Sequence, residues 1–274
     1  PSNAQLGVSL KSGERTWTED LLFAQGGFSK YDAGTLTLQG RLEVPRAILA
    51  MAGSLVLDGA NEHRTMYVVQ HHASKLVLTN GAALKLSTVN DQNTQIGANA
   101  RELAELHVRP GCFLGGTNDC AVNSATAGIL VGTSASGMGL VTVADGATVK
   151  HKVNLGVNSG EAQGAVHQFG GFVENQGGAA NDIRVGDAGY GYYELNAGEL
   201  DGWGYGTLGG ASGKAMGVMV VHGGLFKYIA KETHGRLGLS RGGSAAFYMD
   251  GGLVDFRAPG AMLALGESDN NGTG

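Results

Sequence analysis

One short phrase recurs along this chain. Two glycines, or a small residue and a glycine, separate two apolar halves in "VHQFGGFVEN" (166–175), "YELNAGELDG" (193–202), "VMVVHGGLFKY" (218–228) and "FYMDGGLVDF" (247–256). Anchored on the second turn residue, the phrase falls at Gly146, Gly171, Gly198, Gly224 and Gly252, in steps of 25, 27, 26 and 28 residues. A second signal, an apolar residue followed by glycine, falls at Gly132, Gly156, Gly186, Gly209, Gly238 and Gly266, in steps of 24, 30, 23, 29 and 28. The two signals stay in phase. A fixed period of this size identifies a repeat architecture, in which each unit is too small to bury its apolar face alone and must stack on its neighbours.

The unit reads as three short strands and three turns. A strand such as "VNLG" (153–156) leads into a glycine-rich loop of variable length; an alternating strand such as "AAFYMD" (245–250) follows; then come the Gly-Gly turn and a third strand such as "LVDF" (253–256). Alternation of period two with β-branched and aromatic content predicts strands. Glycine at a corner supplies a positive φ or a close backbone approach. The expectation is an all-β chain, a parallel β-helix of about 10 coils of 19–30 residues, with neighbouring coils pairing their strands ~4.8 Å apart. The best helical candidate, "NARELAELHV" (99–108), reads as one short helix or a strand lead-in.

The domain plan is a single solenoid over 1–274. Residues 1–33 form its start or cap, 34–100 are looser coils, 101–127 an irregular insertion, and 128–274 the regular coils, the last incomplete. The closing "ESDNNGTG" (267–274) interrupts the phrase where a second strand is due, so a longer chain or a capping partner is expected at that end.

Composition narrows the function. Glycine supplies 48 of 274 residues and proline only 4, so the glycines lie between apolar runs rather than in a Pro/Ser-rich linker. The net charge is −5, which argues against nucleic acid as partner. No apolar run is long enough for a membrane-spanning helix. Cys112 and Cys120 flank a Gly/Asn/Asp loop and are expected to close a small disulfide in an exported protein. Neither cysteine has a partner at metal spacing, and no metal or cofactor is expected.

The spacing "hxhG … Gly-rich … hxhxxGGhhxh" resembles the passenger-type β-strand repeats of large bacterial surface and autotransporter-like proteins, well over 129–266 and weakly over 34–87. The resemblance implies a right-handed parallel β-helix, exported, in an adhesive or glycan-handling protein. Parallel β-helices also resemble polysaccharide lyases and hydrolases, which require a base, or two carboxylates a set distance apart. Glu174, Asp201 and Asp255 fall at equivalent places on third strands and read as outward, solvated positions. Arg64, His71, His72 and Arg109 are the residues to inspect for a lyase. The densest aromatic text lies at 186–206, with Tyr190, Tyr192, Tyr193, Trp203 and Tyr205 beside glycines. Aromatic faces of this kind suit sugar rings. Tyr190, Tyr192, Trp203 and Tyr205 are therefore the candidate ligand-binding residues, while Tyr192 or Tyr193 is also suited to fill the solenoid core and the others to cap the end of a coil. The expected function is a non-catalytic, extracellular adhesin or stalk that contacts glycan; the alternative is a carbohydrate-active enzyme, a lyase or glycoside hydrolase.

Overall fold

The computed structural model describes residues 5–87, 93–99, 102–116, 128–175, 183–203, 205–210, 212–229, 236–257 and 261–266. Among them every regular element is a strand, and no helix is long and apolar enough to cross a membrane. The strands form three parallel sheets of 11, 10 and 10 strands, each visited in turn: the chain lays one strand on sheet A, one on sheet B and one on sheet C, and then repeats. One coil runs Val153–Leu155, Gln163–Gln168, Phe172–Glu174. The molecule is a parallel β-helix.

Glycine sets the corners. Gly146, Gly171, Gly198, Gly224 and Gly252, between sheets B and C, all have φ between 69° and 83°. At the A-to-B corner, Gly186 has φ 74°, and a Cβ there would stand 2.2 Å from the Met216 carbonyl oxygen. One expected corner is displaced. Gly238 lies inside Arg236–Leu239, and Ser240, at φ 63°, takes the turn in its place.

Sheet B builds the core with strict alternation. One inward line runs Leu36, Leu55, Leu76, Leu106, Val141, Val166, Tyr193, Met219, one residue per coil. All eight are buried, and each contributes roughly 1.5–3 kcal/mol relative to exposure. The phenol of Tyr193 donates to Gln168 Oε1 at 2.7 Å, so the polar tip is satisfied inside the stack.

Of the helix or strand lead-in read at 99–108 the strand is found, and three other sequence expectations change. The segment 99–108 contributes a strand, Leu103–Val108, with Ala104, Leu106 and Val108 inward; alternation outweighs its helical formers because the neighbouring coils impose the period. The region expected as an insertion (101–127) therefore supplies an ordinary coil through Leu103–Val108 and Phe113–Gly116, while 117–127 lie outside the described residues. The expected start or cap (1–33) likewise carries a complete coil: Gln5–Ser9, Glu14–Trp17 and Leu21–Leu22. The Cys112–Cys120 disulfide is not seen: Cys112 is a buried free thiol that donates to the Pro110 carbonyl, its pKa pushed up by burial, and Cys120 lies outside the described residues.

Candidate binding face on sheet B

The three outer faces differ. On sheet A the outward column Gln95, Leu130, Asn154, Arg184, Thr207 is largely covered, with Leu130, Asn154 and Thr207 buried and Gln95 and Arg184 partly exposed. On sheet B the outward residues remain accessible and form columns. The first column reads Leu103, Met138, Gln163, Tyr190, Met216. The third contains Lys75, Glu105, Leu140, Ala165, Tyr192. The fifth contains His107, Thr142, His167, Glu194.

Where these columns meet, small residues open a depression of about 240 Å³, lined by Leu103, Met138, Leu140, Ala165, His167 and Tyr190 among others. The second position of these strands is glycine, Gly139, Gly164, Gly191 and Gly217, and the first two line the depression. That position faces the A-to-B corner: a Cβ on Gly164 would stand 2.1 Å from the Val131 carbonyl oxygen. Ala165 on the neighbouring outward position deepens the floor.

A polar cluster borders the depression, centred on Glu194. Its Oε2 accepts from the Tyr192 hydroxyl at 3.1 Å and lies 3.0 Å from His167 Nδ1; its Oε1 accepts from Asn196 Nδ2 at 3.0 Å. His222 Nε2 stands 3.9 Å from the same Oε1, and its Nδ1 lies 2.8 Å from Asp250 Oδ1. Burial and the adjacent Glu194 carboxylate push the Tyr192 hydroxyl above the usual tyrosine range. Three coils before Glu194, His107 bridges Thr142 Oγ1 (2.6 Å) and Glu105 Oε2 (2.8 Å). Burial would raise the Glu105 pKa, but hydrogen bonds from His107 and Lys75 outweigh it and hold the carboxyl below its ordinary value. Aromatic rings complete the face: His167 lies 5.5 Å from Tyr192 and 6.1 Å from Phe169 between centroids, and Phe169 and Tyr248 are each 55% exposed.

The four aromatic residues expected to form a site do not share a surface. Tyr190 and Tyr192 stand on sheet B, in Tyr190–Leu195, while Tyr193, next after Tyr192, is core. Trp203 ends the sheet C strand Glu199–Trp203, and Tyr205 begins the sheet A strand Tyr205–Leu208. In their place the stacking brings His167, Phe169 and Glu194 together with Tyr192, and carries the face on through His222 and Tyr248, one and two coils further. The readable signal was phase: each occupies an odd position counted from the start of the second strand.

The positions considered for a lyase also separate. Arg64 lies on sheet C, tied to Glu62 at 2.6 Å, in a hollow of about 410 Å³ with Phe23, Glu43 and Pro45. His71 and His72 lie just past the sheet A strand Tyr67–Gln70, and Arg109 just past the sheet B strand Leu103–Val108. Among the described residues no three metal-ligating side chains converge.

Sheet C carries a charge ladder. Glu43, Arg64, Lys85, Gly115, Lys150, Glu174, Asp201, Lys227 and Asp255 follow one another rung by rung. The equivalence of Glu174, Asp201 and Asp255 is real, but the first two are not solvated: they are 8% and 6% exposed. Burial, reinforced by a hydrogen bond with Glu199 and opposed by Lys227, raises the Asp201 pKa to about 6. Its Oδ1 is buried with no hydrogen-bond partner.

No family model, curated protein or solved structure matches this chain.

Proposed function

We propose that this chain is a non-catalytic, exported bacterial surface protein whose β-helix displays the outer face of sheet B as a glycan-binding surface. The observation that carries the reading is the apolar depression bounded by Tyr190 and His167, with Tyr192, Phe169 and the Glu194 cluster beside it. Sugar rings offer apolar C–H faces and hydroxyl edges, and recognition sites for them pair aromatic surface with a few oriented polar groups. The Glu194 carboxylate is held by three donors from its own and the preceding coil, which fixes it as a positioned acceptor. The test is a glycan array probed with the purified chain, followed by absorbance and reducing-end assays on every polysaccharide that binds. Binding without product supports the reading.

A second reading rests on Glu174 and Asp201. Glycoside hydrolysis uses two carboxylates, one of them protonated near neutral pH. A buried Asp201 with its pKa raised to about 6, one rung from Glu174, has that character. Reducing ends released by the wild-type chain and lost in both Asp201→Asn and Glu174→Gln would favour this enzyme over the adhesin.

A further inference from the structure

The charge on the sheet B face is uneven. On its four later strands, from Gln163–Gln168 to Ser244–Met249 and one residue beyond each, the outward positions hold Glu194, Asp250, His167 and His222, and no lysine or arginine. The earlier coils are balanced by contrast, with Lys75 on Glu105 at 3.3 Å and Arg109 past the end of the next strand. Glu161, Asp187, Lys214 and Arg241, two of each sign, stand on corner segments ahead of the later strands. The aromatic half of the face is thus its anionic half. Tyr190, Tyr192 and Tyr248 present ring surface around the two carboxylates, and ring faces with carboxylates attract cations, not anions.

Resting on the glycan reading above, we infer that this face selects a glycan bearing free amino groups over neutral or uronate polymers. A protonated sugar amine gains from Glu194 and Asp250, which keep acceptor capacity beyond their bonds to Tyr192, Asn196 and His222. A uronate meets like charge on the same coils. The attraction is between partly exposed groups, so salt screens it.

The experiment titrates the full chain at pH 7, at low and physiological salt, with a glucosamine hexamer, its fully N-acetylated counterpart and polygalacturonate. The glucosamine hexamer is expected to bind about fivefold more tightly than the acetylated one, polygalacturonate most weakly, with the preference shrinking as salt rises. The double variant Glu194→Gln/Asp250→Asn is expected to bring the two hexamers to parity, chiefly by weakening the glucosamine hexamer. Equal affinities in the wild type, tighter uronate binding, or a preference that survives the double variant would overturn the inference while leaving glycan binding in place. Failure of all three probes and of the array would overturn the glycan reading itself.

Discussion

His167 and Glu194 occupy one column of sheet B on successive coils, and the imidazole Nδ1 lies 3.0 Å from the carboxylate Oε2. They are 27 residues apart in the chain and neighbours only because the coils stack in register. Tyr192, two residues before Glu194, donates to the same oxygen at 3.1 Å. The cluster therefore ties two coils together while orienting the ring that borders the depression.

Replacing Glu194 separates these roles. Glu194→Ala removes the acceptor of a half-buried phenol and an amide, and is expected to cost about 1–2 kcal/mol in urea unfolding. Glu194→Gln keeps an acceptor oxygen and should cost less than half as much. Equal losses in the two variants would show that the carboxylate charge, which both remove, carries the whole effect.

Gly164 tests the corner geometry. Gly164→Ala drives a methyl to 2.1 Å from the Val131 carbonyl, so the coil must shift; a loss of ~3 kcal/mol is expected. Gly213 has open space around its Cβ position, and Gly213→Ala should fall within about 0.5 kcal/mol of wild type. Unfolding midpoints of the two variants should differ clearly.

Two buried histidines make the fold acid-sensitive. Burial lowers His63 and His151 to about 4 from the usual 6.5; His63 Nδ1 accepts the Leu42 amide at 3.1 Å and His151 Nδ1 the Lys152 amide at 2.9 Å. The folded chain holds both neutral while the unfolded chain protonates them. Their contribution is therefore full above pH ~6.5 and is lost as pH falls from about 6.5 to about 4, by up to ~3 kcal/mol each. Unfolding free energies measured from pH 7.5 down to 4 should fall through that window, and His63→Gln should flatten the slope. A flat profile would refute the assignment.

Much of the fold was legible because both repeat signals are backbone requirements. The Gly146 to Gly252 series marks the B-to-C corners, all at positive φ, and the Gly132 to Gly209 series marks the A-to-B corners. Gly238 misled because Ser240 adopts the left-handed turn that glycine takes elsewhere. The site was less legible. Counting aromatics along 190–205 grouped residues that are close in the chain, but a solenoid places such residues on different sheets and brings together residues a full coil apart. The spacing that ordered Glu174, Asp201 and Asp255 on sheet C, applied to the second strands, would have paired His167 with Glu194. Burial of Glu174 and Asp201 could not be read from alternation, which assigns a face and not its cover.

The central claim is that the outer face of sheet B binds sugar. Its most direct test is a titration of the strongest array glycan into wild type, Tyr190→Ala, Tyr192→Ala and Phe172→Ala, the last on sheet C. Each tyrosine loss is expected to weaken binding about tenfold with the thermal midpoint little changed, and Phe172→Ala to bind as wild type. Undiminished affinity in both tyrosine variants, or a loss confined to Phe172→Ala, would contradict the account.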